Sequence, residues 1–212
     1  WLEAGAIEKI ARKIEATDAD IVYFDFYKEY PTKSKAKRER DYAVDAQREY
    51  VRNMYNHRSY ASVWNKCVRH SLYKEHKIYT PQYGYAEDCY LMSQLVGYSS
   101  SIVHLDEYLY HYRKGNPNAL TGQQRRKRKR EYALNFLDLY ERYKDVPTEE
   151  NPVAVIFDDM LIQAGWYSIF YRLDLFKQYP WLAAAVRKAK MHRKTDVWLL
   201  SQLITKIYCL FK

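Results

Sequence analysis

Glu87 and Asp88 stand immediately before an apolar-periodic run, Tyr90, Leu91, Leu95 and Val96. Carboxylates at a helix start are stabilised by free backbone N–H groups and by the positive end of the helix dipole. Asp88 is therefore expected to stay ionised near neutrality, which a general base requires. The competing reading makes the pair helix caps and nothing more. Further along, Arg113 and Lys114 lead into Gly115-Asn116-Pro117-Asn118, a turn mixture with a basic entrance. An arginine fork bonds two phosphate oxygens at once, so this entrance suits an anion, though a solvated strand end reads the same way.

Helices and strands must position these groups. Leu2 to Thr17 reads as an amphipathic helix with Ile7, Ile10, Ala11 and Ile14 on one face. Asp18-Ala19-Asp20 breaks it, and Ile21 to Tyr27 is a strand apolar on both faces. Helix followed by buried strand is an α/β signature. Pro31 to Arg40 reads as a polar, mobile connection, and Asp45 to Tyr55 as a helix burying Ala46, Tyr50, Val51 and Met54. Ser59 to His70 is strand or turn running into a short helix, which Ile78 to Pro81 ends. The helix opened by Glu87 and Asp88 stops at Gly97 to Ser101. Ile102 to Tyr112 alternates and carries aromatics, as a strand does.

After Thr121 the pattern is all helical. Arg125 to Tyr143 places Ala133, Phe136, Leu137 and Tyr140 at helical spacing. Asn151-Pro152 is a cap and first-position pair opening a long apolar helix from Val153 to about Phe176. Pro180 opens another, and Thr195 or Asp196 caps a last one from Val197 to Lys212. The division is an α/β part over 1–122 and a helical extension over 123–212.

The segment WNKCVRHSLYKEHKIYTPQYGYAEDCYLMSQLVGYSSSIVHLDEYLYHYRKGNPNALTG resembles the second half of family 2 glycosyltransferases of the GT-A fold, inverting bacterial enzymes that build surface polysaccharides such as capsule and lipopolysaccharide. A W-x-K before a helix, an E-D pair, a strand ending in Y-x-Y-R and an N-x-L-T turn carry the likeness by their order, over roughly residues 1–122. It implies a partial GT-A-like mixed sheet with flanking helices. It implies Asp88 as the base for an acceptor hydroxyl that attacks a sugar's anomeric carbon with inversion, and Glu87 as an orienting partner. Arg113, Lys114, Asn118 and Thr121 would meet the donor diphosphate, and Trp64, Lys66 and Tyr85 the acceptor. The donor would be a nucleotide sugar, and the acceptor a glycan or a lipid-linked glycan. A divalent metal, Mn²⁺ or Mg²⁺, would bridge the donor phosphates on a D-x-D motif. Asp18-Ala19-Asp20 is a D-x-D on the wrong edge of the sheet and reads as a helix stop and turn. The true motif is expected upstream of Trp1, so this chain alone is expected to be inactive. His111 is the one late histidine in a place for a metal, and a packed strand histidine is the plainer reading.

Of 212 residues, 48% are hydrophobic and 17% aromatic, with 23 tyrosines. That composition supports a packed core and argues against global disorder. Three separated cysteines suit a reducing compartment and make no zinc site. No apolar run reaches the roughly 20 residues of a membrane span, so the expected location is cytoplasmic, with a peripheral contact at the inner membrane face. Most of the net charge of +9 is the unbroken cationic run Arg125 to Arg130. It reads as a solvated helix start, a nucleic-acid patch or a contact for anionic lipid. Six adjacent cations wrap around a helix, which favours lipid phosphate over groove reading. The basic residues Arg187, Lys188, Lys190, Arg193 and Lys194 and the apolar stripe of the last helix fit an interfacial anchor or internal packing. A basic, Tyr-rich nucleic-acid-binding module is the alternative function, without any RNP, KH or zinc pattern.

Overall fold

The computed structural model describes residues 1–115 and 125–189. Asn118, Thr121 and the expected last helix lie outside them. The chain divides into two compact units. One holds residues 1–80 and 88–122; the other holds 81–87 and 123–212.

The first unit is α/β. Its element order is α1 (Ala6–Thr17), β1 (Ile21–Tyr30), β2 (Lys33–Lys37), α2 (Gln47–Tyr55), β3 (Lys66–Val68), α3 (Ser71–Glu75), α4 (Glu87–Tyr98) and β4 (Ile102–Arg113). Strand β1 is the axis of a mixed sheet. β4 runs parallel along one of its edges, with a bulge around Asp25. The other edge is shared: β3 pairs antiparallel with Ile21 to Tyr23, and β2 pairs antiparallel with Phe26 to Tyr30. Because β1 has neighbours on both edges and helices on its faces, its first six residues are all buried.

The structure moves two expected elements. Residues 1–3 are not helical: Leu2 bridges antiparallel to Tyr110, and Glu3 N–H donates to Leu109 O at 2.9 Å. Gly5, with φ of +72°, then turns the chain into α1. The buried stripe is accordingly Ala6 and Ile10, packed on Phe24 and Leu109 with Ile14, Leu105 and Cys67 at the margin. Ile7 is left 63% exposed. The basic stretch after Pro31 is a hairpin strand, β2, rather than a mobile connection. Its lysines hid the period because every β2 side chain is exposed or nearly so.

The second unit is helical in its described residues: α5 (Arg125–Tyr143), α6 (Phe157–Phe170), α7 (Leu175–Gln178) and α8 (Leu182–Lys188). Asn151 begins the second half as expected of a cap. Its Oδ1 accepts from Val153 N–H at 3.0 Å, and its Nδ2 donates to Tyr143 O at 2.7 Å. The long helix expected from Val153 is divided. A 3₁₀ turn at Ala154–Ile156 precedes α6, and Arg172, at φ of +50°, ends the run before α7. Gly165 lets α8 approach, since a Cβ there would stand 3.1 Å from a Val186 methyl.

Among the described residues no helix is long and apolar enough to cross a membrane.

Candidate functional site

Asp88 lies in the first turn of α4. Ala86, two residues earlier, takes φ of +66°, a left-handed turn that aims the chain into the helix. The Asp88 carboxylate is half-buried. Burial is the largest influence on it and raises its pKa, while the Val63 N–H and the charge of Lys66 work in the opposite direction. The helix start favours the ionised carboxylate, and desolvation makes it a stronger base than an ordinary aspartate. Glu87, beside it in sequence, is exposed.

The residues that meet Asp88 come from the loop 60–65 and the start of β3. Lys66, expected to meet an acceptor, faces inward, and its side chain is 0% exposed. Its ammonium donates to Tyr60 O, Ser62 O and Asn65 Oδ1, each at 2.8 Å. Its nearest carboxylate, Glu39, is 4.0 Å away and equally buried. Burial lowers the Lys66 pKa to about 8 against the pull of Glu39 and Asp88. Burial likewise raises Glu39, against Lys66 and hydrogen bonds from Asn65 and Tyr60. Both shifts run toward neutral forms, so the desolvation of two ions outweighs their mutual attraction. No sequence period marks Glu39 or Asn65, because both sit in irregular segments.

Trp64 is half-buried and stacks on Tyr110 (4.6 Å between centroids) and Tyr112 (5.0 Å), with its plane edge-on to Phe26. It forms an aromatic floor with Phe26, Tyr60 and Tyr112. Two ammonium groups stand over that floor: Lys28, 5.0 Å from the Tyr60 ring, and Lys114, 4.6 Å from the Tyr112 ring. Burial first, then the charges of Lys114 and Lys37, lowers the Lys28 pKa. Cations crowded this way gain from a bound anion. Lys28 carries no turn or motif signal and falls just past Ile21 to Tyr27, the strand read from the sequence, although β1 runs on to Tyr30. Arg113 is exposed at the end of β4, and Gly115, at φ of +82°, turns the chain beyond it.

His111 is held in a different place. Nδ1 meets Glu29 Oε1 at 2.8 Å, Nε2 meets Glu3 Oε1 at 2.7 Å, and the ring lies between Trp1 and Tyr27. Both nitrogens are engaged with carboxylates, the arrangement of a packed strand histidine. Partial burial disfavours its charge, but the hydrogen bonds and charges of Glu29 and Glu3 prevail and raise its pKa. Asp18 and Asp20 are turn residues: Arg69 bonds both, at 2.6 and 2.8 Å, and Ser100 N–H donates to Asp20 Oδ2. Among the described residues no group of three or more His, Cys, Asp or Glu could hold a metal. The divalent metal implied by the resemblance finds no ligand set among the described residues.

In the helical unit, Tyr85 lies under the Arg128 guanidinium, 5.6 Å away, and its carbonyl accepts from Asn135 Nδ2 at 3.0 Å. The cationic run is largely engaged within its own unit. Arg126 donates to Tyr171 O and Arg172 O at the end of α6, Lys129 donates to Tyr167 Oη, and Arg125 stacks on Tyr171. Cations at a helix C-terminus satisfy its open carbonyls.

A mixed sheet with flanking helices, followed by a helical region, resembles in fold a glycosyltransferase domain. The fold is similar to that of S. aureus TarS residues 1–349 in complex with UDP-GlcNAc, with a TM-score of 0.55 and 14% identity, covering 100% of this chain and 66% of that one. A second structure of S. aureus TarS 1–349 gives a TM-score of 0.50 at 15% identity, covering 100% of this chain and 64% of that one. The chain thus spans just under two thirds of the solved chains it resembles. No family model matches it, and no characterised sequence does.

Proposed function

We propose that this chain is the acceptor-side, catalytic-base part of an inverting glycosyltransferase. The observation that carries the reading is Asp88: a carboxylate made more basic by burial, at a helix start, in a fold shared with a protein solved with a nucleotide sugar. Asp88 takes the proton of an acceptor hydroxyl. The freed oxygen attacks the anomeric carbon from the side opposite the leaving group. The bond from that carbon to the donor phosphate oxygen breaks, and its electron pair leaves with the nucleoside diphosphate. Glu87 orients the acceptor. Lys28 and Lys114, with Arg113, supply positive charge for the diphosphate, an assignment resting on their convergence over one aromatic floor. Trp64 acts from within that floor, supporting the rings that an incoming sugar would meet.

The test is Asp88→Asn in the full enzyme, assayed for transfer from a nucleotide sugar. Turnover should fall by roughly 10²–10⁴-fold, the usual worth of a positioned base, with the circular dichroism spectrum unchanged. Turnover within threefold or so of the parent would end the assignment.

A further inference from the structure

The loop 60–65 is tied down by a buried network that the proton transfer itself does not use. Glu39 Oε1 accepts from Asn65 Nδ2 at 2.9 Å, and Glu39 Oε2 accepts from Tyr60 N–H at 3.4 Å. Asn65 Nδ2 also reaches Phe24 O of β1, at 3.2 Å, and Ser62 Oγ donates to Asn65 Oδ1 at 2.9 Å. The Lys66 ammonium closes the loop from beneath by taking the carbonyls of Tyr60 and Ser62. Val63, whose N–H donates to Asp88, directly follows Ser62 of that clamp. The groups facing Lys66 are Glu39, Asp88, Cys89 and the ring of Tyr50, so its charge has two carboxylates to act on.

We propose that Lys66 and Glu39 are positioning residues for the Asp88 carboxylate, fixing the loop that bonds it and setting its basicity through the lysine's charge. This deepens the transferase reading, on which the role of Asp88 as base rests. A polymer of hydrogen bonds used only for stability would hold the loop equally well with a neutral group. The clamp instead places a buried cation beside the base, at the cost of desolvating it. Its burial-lowered pKa of about 8 puts the loss of that charge within reach of ordinary buffers.

The experiment is a carboxyl-carbon NMR titration of the chain labelled in aspartate, with the Asp88 resonance assigned by its loss in Asp88→Asn. In the parent chain that resonance should show its own titration and a second, smaller inflection near pH 8, as Lys66 gives up its proton. In Lys66→Met the second inflection should vanish and the Asp88 midpoint should rise by about one unit, the usual effect of losing a nearby opposite charge. Glu39→Gln should move the second inflection to lower pH, because the lysine loses its counter-charge. Asn151→Ala, in the helical unit, is the control for a merely destabilised chain and should leave both features in place. A parent chain with no inflection near pH 8 would overturn the proposal even if neither variant folds, as would a folded Lys66→Met with an unmoved midpoint. These readouts do not depend on turnover. Retained transfer in Asp88→Asn would sink the transferase reading and leave the coupling of Lys66 to Asp88 standing.

Discussion

At the scale of single residues, the buried lysine decides most. Removing Lys66 alone strands Glu39 in the interior, and breaking such a pair costs about 3–5 kcal/mol. Lys66→Met should therefore lower stability to urea by that order, and Lys66→Met with Glu39→Gln should recover a large part of it. A double-mutant cycle in urea measures the coupling. The sign of the pH dependence follows from the same burial. Between about 8 and the ordinary 10.5, the unfolded lysine binds more proton than the folded one, so this group's contribution to stability rises with pH across that window. The place of Asp88 in the first turn of a helix was legible in the sequence because an acidic pair before a periodic run is a local pattern. The inward turn of Lys66 was not, since one residue's direction in a three-residue strand depends on Glu39, which is distant in sequence.

Elements were legible where period and punctuation agreed. The bounds of α5 and β4 follow from unbroken helical spacing and from alternation ended by a basic turn. They failed where a tertiary partner overrode the pattern. Residues 1–3 continue a helical period but find an open strand edge, and the lysines of β2 suggest a connection until Phe26 to Tyr30 pair with them. The divided helix beyond Asn151 was hidden by apolar composition, which does not report a turn at Arg172. Asn151→Ala removes both a cap and a bond to the preceding helix, so it should cost about 1–2 kcal/mol in thermal or chemical unfolding. Arg126→Ala should destabilise the helical unit by about 0.5–1 kcal/mol, because it opens the end of α6. Lys127→Ala, whose partner Glu131 is 3.8 Å away on the same helix, should change unfolding by no more than about 0.5 kcal/mol. Equal effects of the two substitutions would show that the run acts only as a solvated face.

Taken over the whole molecule, composition was a fair guide to a packed chain but not to where its tyrosines would be used. Tyr23 and Tyr50 are buried in the α/β unit and Tyr167 in the helical one, and burial raises the pKa of each above the ordinary phenol value. An alkaline absorbance titration should therefore show two tyrosine populations, the buried one ionising only with unfolding. A single population near pH 10 would contradict the packing described. The net charge, equally, did not show that Arg125, Arg126, Arg128 and Lys129 of the cationic run would also meet partners within the helical unit.

The pairing of residues 1–3 with the outer side of β4 has a colloidal consequence. An uncovered strand is a template for a strand from another molecule, and here three residues shield it, held by the imidazolium of His111 through Glu3. Because the folded histidine's pKa lies above the unfolded value, this tether is complete under acidic conditions and is lost as pH rises through the folded value. Glu3→Gln should bring the His111 ring-proton midpoint down toward about 6.5. The same variant should also make the chain's tendency to self-associate, read by light scattering, set in at lower pH than in the parent.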